Sequence, residues 1–375
     1  MAEAAVRNGY TALALDVFGD IDTRRVAAHW SGIGVPGALR IEADRLLAAL
    51  EDLAAREEVL GWIAGSGFED QPELLEAGAK ILPLIGTPPS AVRRVRDPRV
   101  FFAFLAARGI AHPEVRFNPP ATAAGWLSKH ADGTGGWHIR AADASEVLWG
   151  TACGRYYQRR AAGTPMSALF VADGHRATVL GFNELIVRSL SGHPFVYCGA
   201  IGPIALAPGL AAGLDELVQT LSREFRLKGL CSLDFLLDGS NVVVLEINPR
   251  PSASMALYLG VSGTTLMHSH VMACMHGRLA RAPQQAGVRG TEIVFARGAL
   301  QLGATQADHL AAQADTHDLP SAGAAFSEGD PVCSVSAAGN NAIDVRARLT
   351  RRRDAILNLL EPSNERSPAD LLCAA

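Results

Sequence analysis

The sequence lacks paired cysteines, and this limits the kinds of site it can hold. No two cysteines have the CxxC spacing of a zinc or redox site. We therefore expect reduced thiols in a cytoplasmic protein, with neither a zinc site nor a disulfide framework. The six cysteines are Cys153, Cys198, Cys231, Cys274, Cys333 and Cys373.

An excess of charge and a membrane-spanning run are also missing. Lys and Arg number 34 and Asp and Glu 38, so the formal charge is −4, which does not predict nucleic-acid or membrane-surface binding. The most apolar stretch, CGAIGPIALAPGLAAGL at 198–214, is interrupted by Gly and Pro. The first twenty residues lack the basic and apolar regions of a signal peptide. These features predict a globular protein that binds neither nucleic acid nor membrane.

Two familiar nucleotide-binding motifs do not fit. GK[ST] does not occur, so a Walker loop is excluded. The first predicted strand, TALALDV at 11–17, runs into the acidic segment DVFGDIDT. Because a dinucleotide site needs a Gly-rich turn at this point, hydride transfer is the least favoured chemistry.

The first 92 residues alternate between predicted strands and helices. Strands are expected at 11–17 and 81–86, and 58–70 is expected to be a strand that runs into a Gly-rich loop. Helices are expected between them, with Pro72 in a first turn. This β-α-β-α-β order predicts a small parallel sheet. The chain of 375 residues is long enough for two or three domains.

The remaining chain predicts a mixed α/β (α+β) protein. A helix is expected at 97–109, a Gly-rich hairpin at 125–140, further strands at 156–189 and helices at 213–229 and 266–280. We place a central domain at 93–285, with a lid at about 100–160 and a Gly-rich flap at 131–137. A small β-rich module is expected at 286–362 and a frayed tail at 363–375.

The segment SLDFLLDGSNVVVLEINPRPSAS, at 232–254, carries the most specific chemistry. It predicts two apolar strands with Asp234 on the first and Glu246, Asn248 and Arg250 at alternate positions of the second. Alternation places the last three on one face, and antiparallel pairing can bring Asp234 onto it. Three hard oxygen ligands suit Mg²⁺ or Mn²⁺, which usually completes its shell with phosphate oxygens.

Arg250 would then offer a planar fork to a transferred phosphoryl group. The alternative is a strand-edge salt bridge between Arg250 and one carboxylate. A set of four such residues on adjacent apolar strands favours the metal site, because buried carboxylates without partners are costly.

Lys129 supports a nucleotide site independently. It ends an apolar strand four residues before Gly133, and the turn GTGG follows. Such a turn can close its amides over phosphates, although Gly-rich hairpin turns are also common in proteins without nucleotides.

The acidic loops of the first domain allow two interpretations. Asp16, Asp20 and Asp22 follow the first strand, and Glu69 follows a later one. They predict either a pocket for the ammonium group of an amine substrate or helix caps in solvated turns.

The order of these elements resembles the ATP-grasp superfamily, over most of the chain. LSKHADGTGG, QRRAAG and SLDFLL…VLEINPRPSAS carry the resemblance. Four further segments are similar to predicted ATP-dependent carboligases related to biotin carboxylase, a group that includes the tyramine–glutamate ligases of methanofuran synthesis. These segments are DVFGDIDTRR, GSGFEDQPELL, PLIGTPPSAVRRVRDPRVFF and HDLPSAGAAFSEGDPVCSV.

The resemblance implies a role for each matching residue. Lys129 and the flap residues Gly133, Thr134, Gly135 and Gly136 would bind the phosphates of ATP, and Arg140 could reach them. Gln158 would face the adenine amino group, and the hinge of Arg159, Arg160 and Ala161 would hold the ring. Asp234, Glu246 and Asn248 would hold Mg²⁺, and Arg250 with Lys129 would be catalytic. Tyr197, Gly199 and Ser252 would line the acceptor side.

The sequence departs from the superfamily pattern at two positions. An earlier phosphate-binding Lys is replaced by Arg99, the cation that lies near that position. Gln158 stands where many relatives have Glu, and its carbonyl can still accept from an amino group.

The resemblance implies a ligase with an ATP-grasp fold that forms amide bonds through an acyl phosphate. Its substrates would be a small carboxylate, with glutamate first, and an amine such as tyramine, tyrosine or a one-carbon cofactor precursor. Two alternatives are carboxylation through carboxyphosphate and a regulatory subunit that binds nucleotide without turnover. A homodimer is compatible with the resemblance, since many enzymes of the superfamily are dimers.

Overall fold

The protein is described here from a computed structural model. The structure describes residues 1–35, 40–56, 58–69, 71–143, 154–259, 265–279, 281 and 287–361. The predicted tail at 363–375, Cys153 and Cys373 lie outside these residues. The four described cysteines are free thiols.

The helices of the described residues are 6 to 19 residues long. Their bounds are α1 Ala2–Arg7, α2 Ile21–Val26, α3 Ala43–Ala54, α4 Pro72–Ile81, α5 Pro89–Arg96, α6 Pro98–Ala107, α7 Pro208–Phe225, α8 Leu266–His276, α9 Ala304–Ala311 and α10 Ala342–Leu360. A 3₁₀ helix spans Ala253–Tyr258.

The strands concentrate in the middle of the chain. Their bounds are β1 Leu13–Asp16, β2 His29–Gly32, β3 Val115–Arg116, β4 Trp126–His130, β5 Arg140–Ala141, β6 Arg155–Arg159, β7 Thr164–Asp173, β8 Ala177–Leu190, β9 His193–Gly202, β10 Lys228–Asp238, β11 Asn241–Asn248, β12 Val288–Phe295, β13 Leu300–Gln301, β14 Thr316–His317, β15 Ala325–Phe326 and β16 Pro331–Gly339.

Two sheets form the frame of the molecule. The larger has the order β11-β10-β7-β8-β9-β12-β16-β14, and its neighbouring strands pair antiparallel. The smaller has the order β3-β6-β4-β5. The chain passes from the smaller to the larger between β6 and β7, so residues 160–163 are the hinge between them. Helix α7 packs its apolar stripe of Leu214, Val218, Leu221 and Phe225 into the core of the large sheet.

The N-terminal segment has a smaller parallel sheet than the sequence predicts. Strand β1 matches the prediction, but it pairs in parallel with β2, a strand that was not predicted. The predicted strands at 58–70 and 81–86 meet in a parallel bridge between Trp62 and Leu84. Pro83 has no N–H to donate, and this limits the ladder at that point.

The β-rich C-terminal segment continues the large sheet. Strand β12 pairs with β9, through Arg289 opposite Gly202, and β16 pairs with β12. Strands β12, β16 and β14 therefore extend the large sheet beyond β9, whose edge would otherwise leave backbone groups free. Within the described part of the chain, no helix is both long and apolar enough to cross a membrane.

The predicted helix at 213–229 also differs in its bounds. It begins at Pro208, in the first-turn position that suits Pro, and it ends at Phe225, with Arg226 as the C-cap residue at a φ of 54°. Gly229, predicted to close this helix, lies in β10, where a Cβ would meet the ring of His270 at 2.4 Å.

Candidate functional site

A cavity of about 760 Å³ opens between the small sheet and the large one. Strands β4 and β6 line one side, and β7 to β11 line the other. Most of the residues that the sequence singles out reach it. These are Lys129, Thr134, Gly135, Gly136, Gln158, Arg159, Arg160, Ala161, Tyr197, Asp234, Glu246, Asn248, Arg250 and Ser252.

The predicted oxygen ligands lie on one face of the β10–β11 hairpin. Asp234 is directly opposite Glu246, and the Nδ2 atom of Asn248 donates to Oδ2 of Asp234 at 3.0 Å. After this pair the register shifts by one residue. Phe235 is opposite Val244, so Leu245 is an extra residue on β11. The three side chains that could hold a metal are therefore in contact range of one another.

The two carboxylates differ in electrostatic environment. Burial raises the pKa of Asp234, and the charge of Glu246 raises it further, against smaller opposing effects of Arg250 and Asn248. Burial would also raise the pKa of Glu246, but Arg96, Lys129 and other cations outweigh it and lower that pKa. Both carboxylates would gain from a bound cation.

The donor set fits Mg²⁺ or Mn²⁺. It consists of two carboxylates and one amide oxygen, all hard ligands, and leaves coordination positions for phosphate oxygens and water. In the described residues, no group of three or more His, Cys, Asp or Glu side chains is arranged to hold a metal. The fit therefore depends on Asn248 as the third ligand.

Lys129 and Arg96 supply positive charge beside these ligands. Lys129 is 7% exposed, and burial lowers its pKa, with Arg96 adding to that effect and Glu246 opposing it. The guanidinium of Arg96 lies 3.4 Å from the carboxylate of Glu246. The same group donates to the carbonyls of Ala131 and Gly133, at 3.0 and 2.7 Å, and its buried Nε has no partner among the described residues.

Sequence reasoning missed Arg96. It assigned the earlier phosphate-binding cation to Arg99, but the guanidinium of Arg99 stacks over the ring of Phe117 at 4.1 Å and does not line the cavity. The only available signal was position, since Arg96 is the last residue of a helix immediately before the Asp-Pro start of the next.

Arg250 joins the N-terminal domain to the flap, the segment 131–137. Its Nε donates to Glu69 at 2.6 Å, and its NH2 group donates to the hydroxyl of Thr134 at 3.3 Å. Burial would raise the pKa of Glu69, but Arg250 and the Gly67 amide outweigh it and keep that pKa low. Glu69 is therefore an ionised partner of Arg250 in this structure, and an ammonium pocket would need this pair to open.

The flap closes over the cavity. The backbone N–H of Tyr197 donates to the carbonyl of Gly135 at 2.9 Å. Gly136 approaches β9 so closely that a Cβ there would lie 1.8 Å from the carbonyl oxygen of Phe195. His138 packs against Gly133 at the flap base, and burial lowers its pKa to about 4.

Eight predicted residues do not line the cavity, among them Glu69 and Gly133, whose contacts are described above. Asp16 accepts from the Gly19 amide and the Trp30 indole, and Asp22 accepts from the amides of Asp318 and Leu319. These contacts favour the structural interpretation of the acidic loop over the ammonium pocket. The other four are Asp20, Arg99, Arg140 and Gly199.

Two of these four have a clear structural setting. Burial raises the pKa of Asp20 to about 7, with help from Asp318 and Asp22. Gly199 faces β12, where a Cβ would meet the carbonyl oxygen of Thr291 at 2.1 Å. Its role is close strand packing.

Comparisons with known proteins agree with this geometry. A family model described as an ATP-grasp domain matches residues 96–254. The carbamoyl phosphate synthase large chain of Myxococcus xanthus is 24% identical over 253 residues, which are 60% of this chain and 23% of that protein. The chain thus spans about a quarter of the length of this relative.

Solved structures show the same fold over nearly the whole chain. The biotin carboxylase of Campylobacter jejuni has a TM-score of 0.70 at 14% identity and covers 97% of this chain and 93% of its own. An L-amino acid ligase of Bacillus licheniformis has a TM-score of 0.68 at 12% identity, covering 94% and 93%. Residues 96–254, which supply most of the cavity walls, therefore match an ATP-grasp domain in sequence, and the chain shares its fold with these solved structures.

Proposed function

We propose that this protein is an ATP-dependent ligase that joins a carboxylate to an amine through an acyl phosphate. One observation carries the proposal. Asp234, Glu246, Asn248, Lys129 and Arg250 line the charged end of a single cavity that is large enough for a nucleotide and a small acid.

The proposed reaction has two steps. A carboxylate oxygen of the acid attacks the γ-phosphorus of ATP, and the bond to the bridging oxygen breaks to release ADP. The amine nitrogen then attacks the acyl carbon, loses a proton, and expels phosphate to leave the amide. Each step is a displacement at a charged centre, so positioning and electrostatic stabilisation dominate catalysis.

The side chains of this chain have distinct roles in the proposal. Lys129 donates to phosphate oxygens from a buried position, where its charge acts strongly because solvent screens it little. Arg250 exchanges its contacts with Glu69 and Thr134 for the transferred phosphoryl group. The flap excludes water, which would hydrolyse the acyl phosphate.

Asp234, Glu246 and Asn248 would hold a divalent cation. When bound, Mg²⁺ would offset the negative charge of the triphosphate at this end of the cavity. These three side chains would fix the position of the cation, and thereby the place where the negative charge of the triphosphate is offset. Arg96 forms an ion pair with Glu246 and so helps to hold that carboxylate in place.

The substrates are proposed at a finer level from the subgroup motifs of the sequence. They favour glutamate as the acid, and tyramine or a related precursor of a one-carbon cofactor as the amine. The fold shared with the L-amino acid ligase of Bacillus licheniformis is compatible with an amino acid substrate.

ADP release by the purified protein tests the ligase. Mg-ATP is supplied with and without glutamate, with a panel of amines, and in a separate arm with bicarbonate. We expect release that requires both an acid and an amine, and hydroxylamine in place of the amine should trap the acyl phosphate as a hydroxamate. Release that depends on bicarbonate alone would favour carboxylation, and nucleotide binding without turnover in any arm would favour a regulatory subunit.

Glu246→Gln tests the metal site. Removing this carboxylate should lower ADP release by about 100-fold or more, because metal ligands and the groups that orient them act together. Glu184→Gln is the matched control, since Glu184 is also a sheet glutamate paired with an arginine, Arg346, but lies outside the cavity. Equal activity of the two variants would contradict the metal assignment.

A further inference from the structure

The amide of Gln158 lies in the cavity without a partner. Gln158 is 2% exposed, and its Nε2 atom forms no hydrogen bond with any described residue. Leaving a buried amide donor unpaired is energetically costly. A buried donor of this kind, on a cavity wall, is expected to be satisfied by the ligand.

Gln158 is at the apolar end of the cavity. On β10, the cavity-lining residues change from Leu236, opposite Pro165 near the hinge, to Asp234. On β4 they change in the same direction, from Leu127 to Lys129. Gln158 pairs with Leu127, so it lies beside these apolar residues and away from Asp234 and Glu246, with Arg159 and Arg160 lining the cavity next to it.

The two ends of the cavity therefore suit different parts of a nucleotide. The charged end suits the phosphates, and the apolar end suits a flat ring that needs both burial and one polar contact. Gln158 is the buried polar side chain at that end whose donor remains free. Its amide is thus placed to contact the edge of the base.

An amide and a carboxylate would select bases differently. A carboxylate only accepts, so it favours the 6-amino group of adenine and repels the 6-oxo group of inosine or guanine. An amide has a donor and an acceptor, and a half-turn of its terminal group exchanges them. The same side chain can therefore accept from an amino group or donate to a ring nitrogen or oxo group.

We propose that Gln158 makes the base pocket permissive, so that the protein takes 6-oxopurine nucleoside triphosphates as well as ATP. This inference rests on the proposed function, because it assumes that the cavity binds a nucleotide. It assigns to Gln158 the choice of the base and leaves the phosphate chemistry to the charged end.

Competitive binding in the presence of Mg²⁺ tests the proposal without knowledge of the acid or amine. ATP and ITP each displace a fluorescent adenine nucleotide from the wild-type protein. ITP is the most selective probe, because its base differs from adenine in only two features. It has a 6-oxo group in place of the 6-amino group, and the neighbouring ring nitrogen carries a proton. We expect the two affinities to agree within about tenfold, since the amide can pair with either edge. A larger preference for ATP overturns the proposal.

Gln158→Glu should restore discrimination. The carboxylate repels the 6-oxo group, so the preference for ATP over ITP should rise by about 10- to 100-fold, as expected for loss of a good base contact. An unchanged preference in a folded variant overturns the assignment to Gln158.

Gln158→Met covers the case in which a buried carboxylate prevents folding. Methionine keeps the length and the apolar packing but offers no strong donor or acceptor. Both nucleotides should then bind about fivefold or more weakly, because each loses its contact with the amide. Unchanged binding of both overturns the proposal.

If ATP itself does not bind to the wild type, the proposed function fails; if ATP binds and ITP does not, this inference alone fails.

Discussion

At the scale of single residues, Arg96 is the largest addition that the structure makes to the site. Its one guanidinium contacts a proposed metal ligand, Glu246, and two flap carbonyls, those of Ala131 and Gly133. Arg99, only three residues later, lies in the first turn of the next helix, and its guanidinium stacks over Phe117. The chain turns at Asp97 and Pro98, so sequence distance says little about which cation lies beside Glu246.

We predict that Arg96→Ala weakens Mg-ATP binding by about 10- to 100-fold, because charge-assisted hydrogen bonds contribute roughly 1.5–3 kcal/mol. Arg99→Ala removes the same charge outside the cavity and should leave binding within about twofold, as surface substitutions usually do. Isothermal titration calorimetry of the two variants measures both affinities. If Arg99→Ala weakens Mg-ATP binding more than Arg96→Ala does, Arg99 and not Arg96 is the phosphate-binding cation.

At the scale of elements, the flap depends on two adjacent glycines that differ in their surroundings. Both have positive φ, 63° at Gly135 and 82° at Gly136. A Cβ on Gly135 would find its nearest neighbour at 3.4 Å, in the Trp137 side chain. A Cβ on Gly136 would collide with the backbone of β9, so of these two glycines Gly136 is the one that the docked flap requires.

We expect Gly136→Ala to lower ADP release by about 100-fold, since displacing a catalytic element by about 1 Å can cost that much. Gly135→Ala has the same conformational cost, about 1 kcal/mol, without the collision, and should reduce activity far less. Hydrogen exchange at 131–137 should rise more in the first variant. Equal exchange and equal activity would show that close docking of the flap does not matter.

The β10–β11 hairpin shows how far sequence patterns reach at this scale. Both strands and their turn were predicted from the alternation of apolar residues, and the structure confirms them. In an unbroken register, however, Asp234 would oppose Leu245, and Glu246 and Asn248 would face the other side of the sheet. The bulge at Leu245 brings all three ligands together, and no local pattern predicts it.

At the scale of the whole molecule, His270 links three parts of the chain. It lies on α8, accepts from the Leu230 amide of β10 and donates to the Ile85 carbonyl of the N-terminal domain. Both ring nitrogens are used by a neutral imidazole. Burial lowers the pKa of His270 to about 4, against a partial opposing effect of the Ile85 carbonyl.

This pKa predicts a pH dependence of stability. The unfolded histidine has the ordinary pKa of 6.5, so the unfolded chain binds more protons than the folded one between that value and about 4. The free energy of unfolding should therefore fall as the pH falls through this range, by up to about 1.4 kcal/mol per pH unit from His270. Above pH 6.5 its full contribution remains.

Urea unfolding of the wild type and of His270→Gln at several pH values between 4.5 and 7.5 measures this effect. The variant should show a shallower fall of the unfolding free energy. His138, whose pKa is also lowered to about 4, is present in both proteins, so its effect cancels in the comparison. Identical pH profiles would mean that His270 does not stay neutral in the folded protein.

The N-terminal and C-terminal parts also meet at the acidic loop. Asp22 accepts from the amides of Asp318 and Leu319, and the Ile21 amide donates to the Leu319 carbonyl. The sequence showed a cluster of carboxylates after a strand, and this is equally typical of a ligand loop. The backbone N–H groups that pair with one of these carboxylates, Asp22, come from Asp318 and Leu319, nearly 300 positions later in the sequence.

The sequence by itself determined the ligand types, the mixed fold and the segments that carry the site. Hydrophobic periodicity sets strands and helices locally, and the side chains Asp234, Glu246, Asn248 and Lys129 define the chemistry wherever they meet. Tertiary structure decided which side chains enter the cavity. The bulge in β11, the turn before α6 and the pairing of β12 with β9 arise from contacts between distant segments, and these contacts have no periodic signature in the sequence.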